Sequence, residues 1–289
     1  MDLSALPLAY QLLFAALFGL VVGSFLNVLI LRLPHKMYAE HESSCSEHST
    51  ATQTLGRWFG LDFLISPAST CPHCGHRIRA WENIPVVSWL WLRGRCANCS
   101  APISIRYPLT EAATGLLTVL LVWHLGPHLH TLAACILLWG LIALTVIDID
   151  EQLLPDSLTL PLLWLGLLMN LTDTFAPLAD AVIGAAAGYL SLWLIFHLFR
   201  LLTGKEGMGY GDFKLFALFG AWMGWQMLPL ILLLSSLVGA IIGIGLVVIR
   251  GRDHQVPIPF GPYLAIAGLI ALLWGEQINQ AYLQFAGLG

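Results

Sequence analysis

Residues 131–156 read TLAACILLWGLIALTVIDIDEQLLPD. From Thr131 to Ile147 there is no charged side chain; then Asp148, Asp150, Glu151 and Asp156 follow in close succession. A membrane-crossing helix takes about 20 mostly apolar residues. The stretch therefore predicts a span near 131–148 that delivers carboxylates to the edge of a bilayer. Ionisable groups at that depth are costly and mark functional sites.

Seven further spans are expected on the same grounds, near 8–31, 107–125, 156–172, 180–200, 213–227, 229–249 and 258–275. The composition agrees: 57% of the 289 residues are hydrophobic and 10% charged, against about 25% charged in a soluble domain. A net charge of -4 and the lack of a basic tail give no footing for nucleic acid. The first apolar stretch is too long for a signal-peptide core and has no basic residues before it, so it reads as a retained helix.

The interval 32–106 is polar and too long for a structureless loop. It predicts a small domain inserted between the first two spans, giving the division 1–31, 32–106 and 107–289. The expected fold is thus an all-α polytopic membrane protein of about eight transmembrane helices, with a small cytoplasmic zinc-binding domain after the first.

Lysine and arginine collect in cytoplasmic loops. With the N-terminus outside and eight crossings, all thirteen basic residues, from Arg32 to Arg252, fall inside or at the inner boundary. Both termini are then periplasmic and the insert cytoplasmic.

Within the insert, Cys71-Pro-His-Cys74 and Cys96-Ala-Asn-Cys99 form two C-x-x-C pairs. Four thiolates in a tetrahedron suit a structural zinc and leave no open position for a catalytic one. A reducing cytoplasm disfavours disulfides. A redox pair or plain buried cysteines are the rival readings, and His73 and His76 compete as ligands. Cys45 and Cys135 stand apart, Cys135 reading as packing.

Among the acids, Asp148 ends the third expected span and Asp212 begins the sixth, both on the inner side. Asp212 closes Gly209-Tyr210-Gly211-Asp212, where glycines let another chain approach closely. Two facing carboxylates share a proton, one acting as base on a water and the other as acid on the substrate carbonyl. Alternatively each caps a helix or pairs with Lys205 or Lys214. Asp150 lies two residues from Asp148 and so faces away on a helix. Asp156 reads as an N-cap. Glu111, a turn into the second span, is positioned to orient a partner or bind substrate.

In order along the chain come Gly23-Ser24-Phe25-Leu26-Asn27-Val28, Arg32-Leu33-Pro34, the cysteine pairs, Trp81-Glu82-Asn83-Ile84-Pro85, Arg106-Tyr107-Pro108 with Glu111, Ile147–Asp150 with Leu154-Pro155-Asp156, Gly207–Lys214, and Pro257–Pro262. This ordered set resembles the type IV prepilin peptidases, or leader peptidase/N-methyltransferases, a bacterial branch of the G-x-G-D aspartyl proteases. The resemblance implies Asp148 and Asp212 as the catalytic pair, with Gly209, Gly211 and Lys214 supporting the loop. It also implies prepilin and pseudopilin substrates with short basic leaders, and methylation of the new N-terminus by S-adenosylmethionine. Glu82, Asn83, Gly94 and Glu111 become candidate contacts for substrate or methyl donor. The implied setting is the bacterial inner membrane, with the lipid bilayer as partner and the active site facing the cytoplasm. Residues 37–65 match no motif.

Three other readings compete. Presenilin-type proteases share only the Gly209–Asp212 core. A proton-relay transporter would be expected to repeat the glycine-broken segment, and a zinc-ribbon module with a passive anchor would not need eight helices with embedded acids.

Overall fold

A computed structural model of the chain describes residues 6–45, 69–205, 207–250, 259–285 and 287, without side-chain detail at 41–45 and 246–250. Most of the unassigned stretch 37–65, the side chain of Cys45, Arg57, Arg252, and Pro257 and Ile258 of the last motif lie outside the described residues. Among the described residues the helices are α1 (Leu8–Cys45), α2 (Val87–Trp91), α3 (Arg106–Leu125), α4 (Leu129–Glu151), α5 (Asp156–Met169), α6 (Leu178–Thr203), α7 (Tyr210–Met223), α8 (Leu228–Arg250) and α9 (Gly261–Phe285). No strand occurs among them.

Each of the eight expected spans contains a helix, but only α1, α3, α4, α6, α8 and α9 are long and apolar enough to cross a bilayer. Helices α5 and α7 have 14 residues each. That is about 21 Å at 1.5 Å per residue, short of a hydrocarbon core of about 30 Å. The count of eight full spans is not confirmed: among the described residues six helices meet the length and hydropathy of a span, and α5 and α7 fall short of it. Helix α7 tolerates its shortness because it is surrounded by protein: Phe213 and every residue from Leu215 to Met223 are buried. The helices expose large apolar side chains outward, such as Leu190, Leu194 and Leu198 on α6, as a lipid-facing surface requires. The chain is an all-α polytopic membrane protein.

It divides into two compact units, Met1–Pro127 and His128–Gly289. In the first, α1 packs antiparallel on α3 through small residues. A Cβ on Gly23 would lie 2.7 Å from the Glu111 Cα, and one on Gly19 would lie 2.9 Å from the Gly115 Cα. Glycines four apart let helix backbones approach where lipid supplies no hydrophobic drive. The polar segment between the two helices carries the cysteines. This division places α3 with α1, whereas the sequence places a boundary at 106.

In the second unit the helices alternate in direction. Lys214 at the start of α7 meets Asp156 at the start of α5, and Asn170 beyond the end of α5 donates to the Ala221 and Trp222 carbonyls at the end of α7. So α5 and α7 run parallel. Helix α6 runs against α7, with Gly184 and Gly188 seated on Gly220 and Phe216. Helix α9 runs with α7, since Gly261 meets Asp148 and Gly268 meets Phe219. The core they enclose centres on Trp222, Phe213, Phe216 and Phe219, all nearly inaccessible.

Candidate functional site

The alternation brings the end of α4 and the starts of α5, α7 and α9 to one end of the second unit. Asp148 lies in the last turn of α4 and Asp212 in the first turn of α7. Both are buried, each 6% exposed, whereas Asp150 is exposed. The helical step that separates Asp148 from Asp150 accounts for the difference.

Each buried carboxylate rests on the N-terminus of a helix. Asp212 Oδ2 accepts the Gly209 N–H at 3.2 Å, within its own first turn. Asp148 sits at the C-terminal, electronegative end of α4, but its Oδ2 accepts the N–H of Gly261, the first residue of α9, at 3.0 Å. Unpaired N–H groups and the positive end of the helix dipole favour anions there. The two carboxylates sit at one level, since Leu154 packs against both Gly211, next to Asp212, and Gly261, the partner of Asp148. Among the described residues each bonds only through Oδ2, and the Oδ1 atoms have no protein partner.

The turn Gln152–Pro155 closes this end. Gln152 takes a left-handed φ of 53° and caps α4. Leu154 then wedges between the starts of α7 and α9: a Cβ on Gly211 would lie 2.6 Å from the Leu154 Cβ, and one on Gly261 would lie 3.3 Å from its Cδ2. Asp156 follows, but not as the expected N-cap. Pro155 occupies the cap position with no side-chain bond, and both Asp156 oxygens receive Lys214 Nζ, at 2.6 and 2.7 Å. The distant ammonium takes the carboxylate that a local reading gives to the helix end.

In the first unit Cys71, Cys74, Cys96 and Cys99 converge, with all four sulfurs within 4.8 Å of one another. The Cys71 and Cys99 sulfurs are 3.8 Å apart. A Zn–S bond of about 2.3 Å gives a tetrahedron edge of about 3.8 Å, so the set fits a four-thiolate metal. The two knuckles repeat one geometry. Gly75 N–H closes on the Cys71 carbonyl at 2.9 Å, and Ser100 N–H on the Cys96 carbonyl at 3.0 Å. Gly75 and Ser100 both have positive φ, 69° and 59°. Donors are aimed at the sulfurs: the Asn98 amide, 3.6 Å from Cys74 Sγ, and the backbone near His76 pull the Cys74 thiol down to about 6. Backbone N–H groups of Cys99 and Asn98 lower Cys96 likewise. Against a backbone hydrogen bond at Ala101, desolvation and the three neighbouring thiols push Cys99 up to about 12, so the thiolate, the metal-binding form, is favoured at Cys74 and Cys96 and not at Cys99.

Residues 17–125 match the bacterial peptidase A24 N-terminal domain, and residues 135–244 match the type IV leader peptidase family. A protein of Stutzerimonas stutzeri named prepilin leader peptidase/N-methyltransferase is 56% identical over 287 residues, covering 99% of this chain and 98% of the relative. This chain belongs to the type IV leader peptidase family. Relatives of the same name from Aeromonas hydrophila and Pseudomonas aeruginosa are 58% and 55% identical, covering 92% and 99% of this chain and 92% and 97% of their own lengths. No solved structure matches the chain.

In this leader peptidase family member the residues beside the knuckles are mostly engaged internally. Glu82 accepts the Arg79 N–H at 3.0 Å and meets His76 Nε2 at 3.2 Å. The Arg79 N–H chiefly, with His76, holds the Glu82 carboxyl below its usual range. Gly94, at φ 67°, has no room for a Cβ, which would meet the Trp89 ring at 2.8 Å. Glu111 is buried and accepts the Val86 N–H at 2.7 Å. Asn83 is exposed. Sequence reading passed over Gly261 as a donor, Leu154 as a wedge and Asp156 as the partner of Lys214. The Pro259-Phe260-Gly261-Pro262 motif was the available signal for the first.

Proposed function

We propose that the chain is a prepilin leader peptidase and N-methyltransferase in which Asp148 and Asp212 are the catalytic dyad. The observation that carries the dyad is two buried carboxylates at one end of the second unit, on either side of the Leu154 wedge, each seated on a helix N-terminus and each with one oxygen unclaimed. The ionised member takes a proton from a water lodged between them. The water oxygen attacks the scissile carbonyl carbon while the protonated member gives its proton to the carbonyl oxygen. As the tetrahedral intermediate collapses, the member that took the water's proton passes it to the amide nitrogen, which leaves as the amine, and a hydroxyl proton of the intermediate returns to the other member as the new carboxyl group forms. Gly209 donates its N–H to Asp212, Gly211 makes room for Leu154, and Lys214 fixes α7 through Asp156.

The substrates are prepilins and pseudopilins, cut on the cytoplasmic face of a bacterial inner membrane with both chain termini periplasmic. The distribution of lysine and arginine supports that orientation. The four thiolates hold zinc as a structural ion, given their closed tetrahedral fit. S-adenosylmethionine supplies the methyl group for the new amino terminus. Because Glu82, Gly94 and Glu111 are committed to internal packing, no step of methyl transfer is assigned to them.

Incubation with a purified prepilin and S-adenosylmethionine, read by mass spectrometry, reports cleavage and methylation together. Asp148→Asn and Asp212→Asn each lose at least about a hundredfold in cleavage, the low end for a lost acid or base, while Asp150→Asn keeps most of it. Full cleavage by either of the first two variants rejects the dyad.

A further inference from the structure

The segment between the cysteine pairs carries a surface that the peptidase reading does not use. Trp81, Ile84, Val87, Leu90, Trp91 and Ile105 are between 47% and 84% exposed, Trp91 the most. Val87, Leu90 and Trp91 fall three and four apart on the single turn of α2 and so share a face, while Trp89 points inward and donates to the Ile103 carbonyl at 3.2 Å. Around them Arg77, Arg79, Arg93, Arg95 and Arg106 are all exposed, and Glu82 is the only acid from 69 to 106. Arg79 lies 5.3 Å from the centre of the Trp81 ring.

The height of this face is fixed. Glu111 receives the Val86 N–H at 2.7 Å, and its backbone packs on α1, where a Cβ on Gly23 would lie 2.7 Å from the Glu111 Cα. Asn27 on α1 donates to the Tyr107 carbonyl at 3.1 Å. Val86 is held at a φ of 61°, which a β-branched residue adopts only when its surroundings impose it. The start of α2 is therefore pinned level with Gly23–Asn27. A hydrocarbon core takes about 20 helical residues; counted from the start of α1 at Leu8, it ends near Asn27.

We propose that α2 and its neighbours Trp81, Ile84 and Ile105 form an interfacial foot that docks on the membrane surface, the arginines meeting anionic lipid headgroups. Three features point to lipid over a protein partner: the level of the face, its continuity with lipid-facing spans, and the arginine surround. Segment 84–91 is then immersed at the bilayer edge, not free in the aqueous phase with the rest of the insert.

The test uses the full-length protein in nanodiscs of phosphatidylcholine and phosphatidylglycerol. A photo-crosslinking benzoylphenylalanine replaces Trp91 or, as a second probe should that replacement unfold the segment, Leu90; Ala97, exposed in the second knuckle, is the reference. Irradiation and mass spectrometry should give lipid adducts at 91 or 90 several times more abundant than at 97. Equal yields at 91 and 97, or replacement of the lipid adducts by prepilin adducts when a prepilin is added, overturn the proposal. Prepilin cleavage measured separately by Asp148→Asn distinguishes failure here from failure of the peptidase reading.

Discussion

Gly261 donates its backbone N–H to Asp148 Oδ2 at 3.0 Å, joining residues 113 positions apart. The glycine is required by space as well as by the bond, since a Cβ there would lie 2.6 Å from that same oxygen. Gly261→Ala should push the Asp148 carboxylate off the α9 N-terminus. Overpacking of this kind costs about 1–3 kcal/mol. Prepilin cleavage should fall about tenfold or more while the protein still inserts and purifies. Gly245→Ala is the control, because nothing lies within 4 Å of its added Cβ. Equal activity in the two variants would show that Asp148 does not depend on this seat.

Lys214 and Asp156 tie α7 to α5 at the end that holds both acids. Their side chains are 30% and 52% exposed, so the pair contributes at most about 1 kcal/mol to stability. Its effect should be on activity, by setting the position of the first turn of α7. Lys214→Met and Asp156→Asn should each lower cleavage a few-fold with a small change in melting temperature. The double variant should be no worse than the worse single one, because partners in one contact are not additive. Additive losses would mean that the two residues act separately.

Sequence periodicity located the helices because a chain in lipid must satisfy its backbone within each segment, and long apolar runs have few other solutions. It did not tell crossing helices from short ones. Whether 14 residues suffice depends on whether the helix meets lipid or, like α7, protein. The cysteine pairs and the two aspartates were legible for different reasons. C-x-x-C spacing is a local property of a metal turn, and G-x-G-D is a local property of an open helix start. Gly261, Leu154 and the Asp156–Lys214 pair were hidden because each acts on a residue far along the chain. Asp156 is the instructive case: beside a proline at a helix start, its local chemistry says cap, and a lysine 58 positions away overrides it. Glu111 was visible as a buried acid, but its partner, a strained backbone N–H at Val86, has no sequence signature.

The cysteine cluster should hold about one zinc per chain, measured by elemental analysis of the purified protein, as four thiolates per ion requires. Cys71→Ser with Cys74→Ser should abolish it. Among the described residues the segment from Ser69 to Ile105 has no strand and only two isolated bridges, Thr70–Arg77 and Arg95–Pro102. Besides short helices at Ala80–Asn83 and Val87–Trp91, a metal would be the main tie between the two knuckles, and chelation should open them to protease while the second unit stays intact. Full protease resistance after verified metal loss would contradict a structural role for the ion.

Glu111 separates a structural from a chemical function for a buried acid. Glu111 is 8% exposed and its carboxylate accepts the Val86 N–H. Glu111→Gln keeps a carbonyl oxygen for Val86 and should retain folding. Glu111→Ala leaves that N–H buried without an acceptor, a loss of about 1–3 kcal/mol, and frees the Pro85–Val86 turn. Limited proteolysis should therefore show faster cutting near 84–91 in the alanine variant and wild-type rates in the glutamine variant. If the carboxylate instead took part in chemistry or bound a substrate cation, glutamine would be as damaging to activity as alanine while proteolysis stayed unchanged in both. Measuring cleavage, methylation and protease sensitivity on the same preparations decides between the two roles.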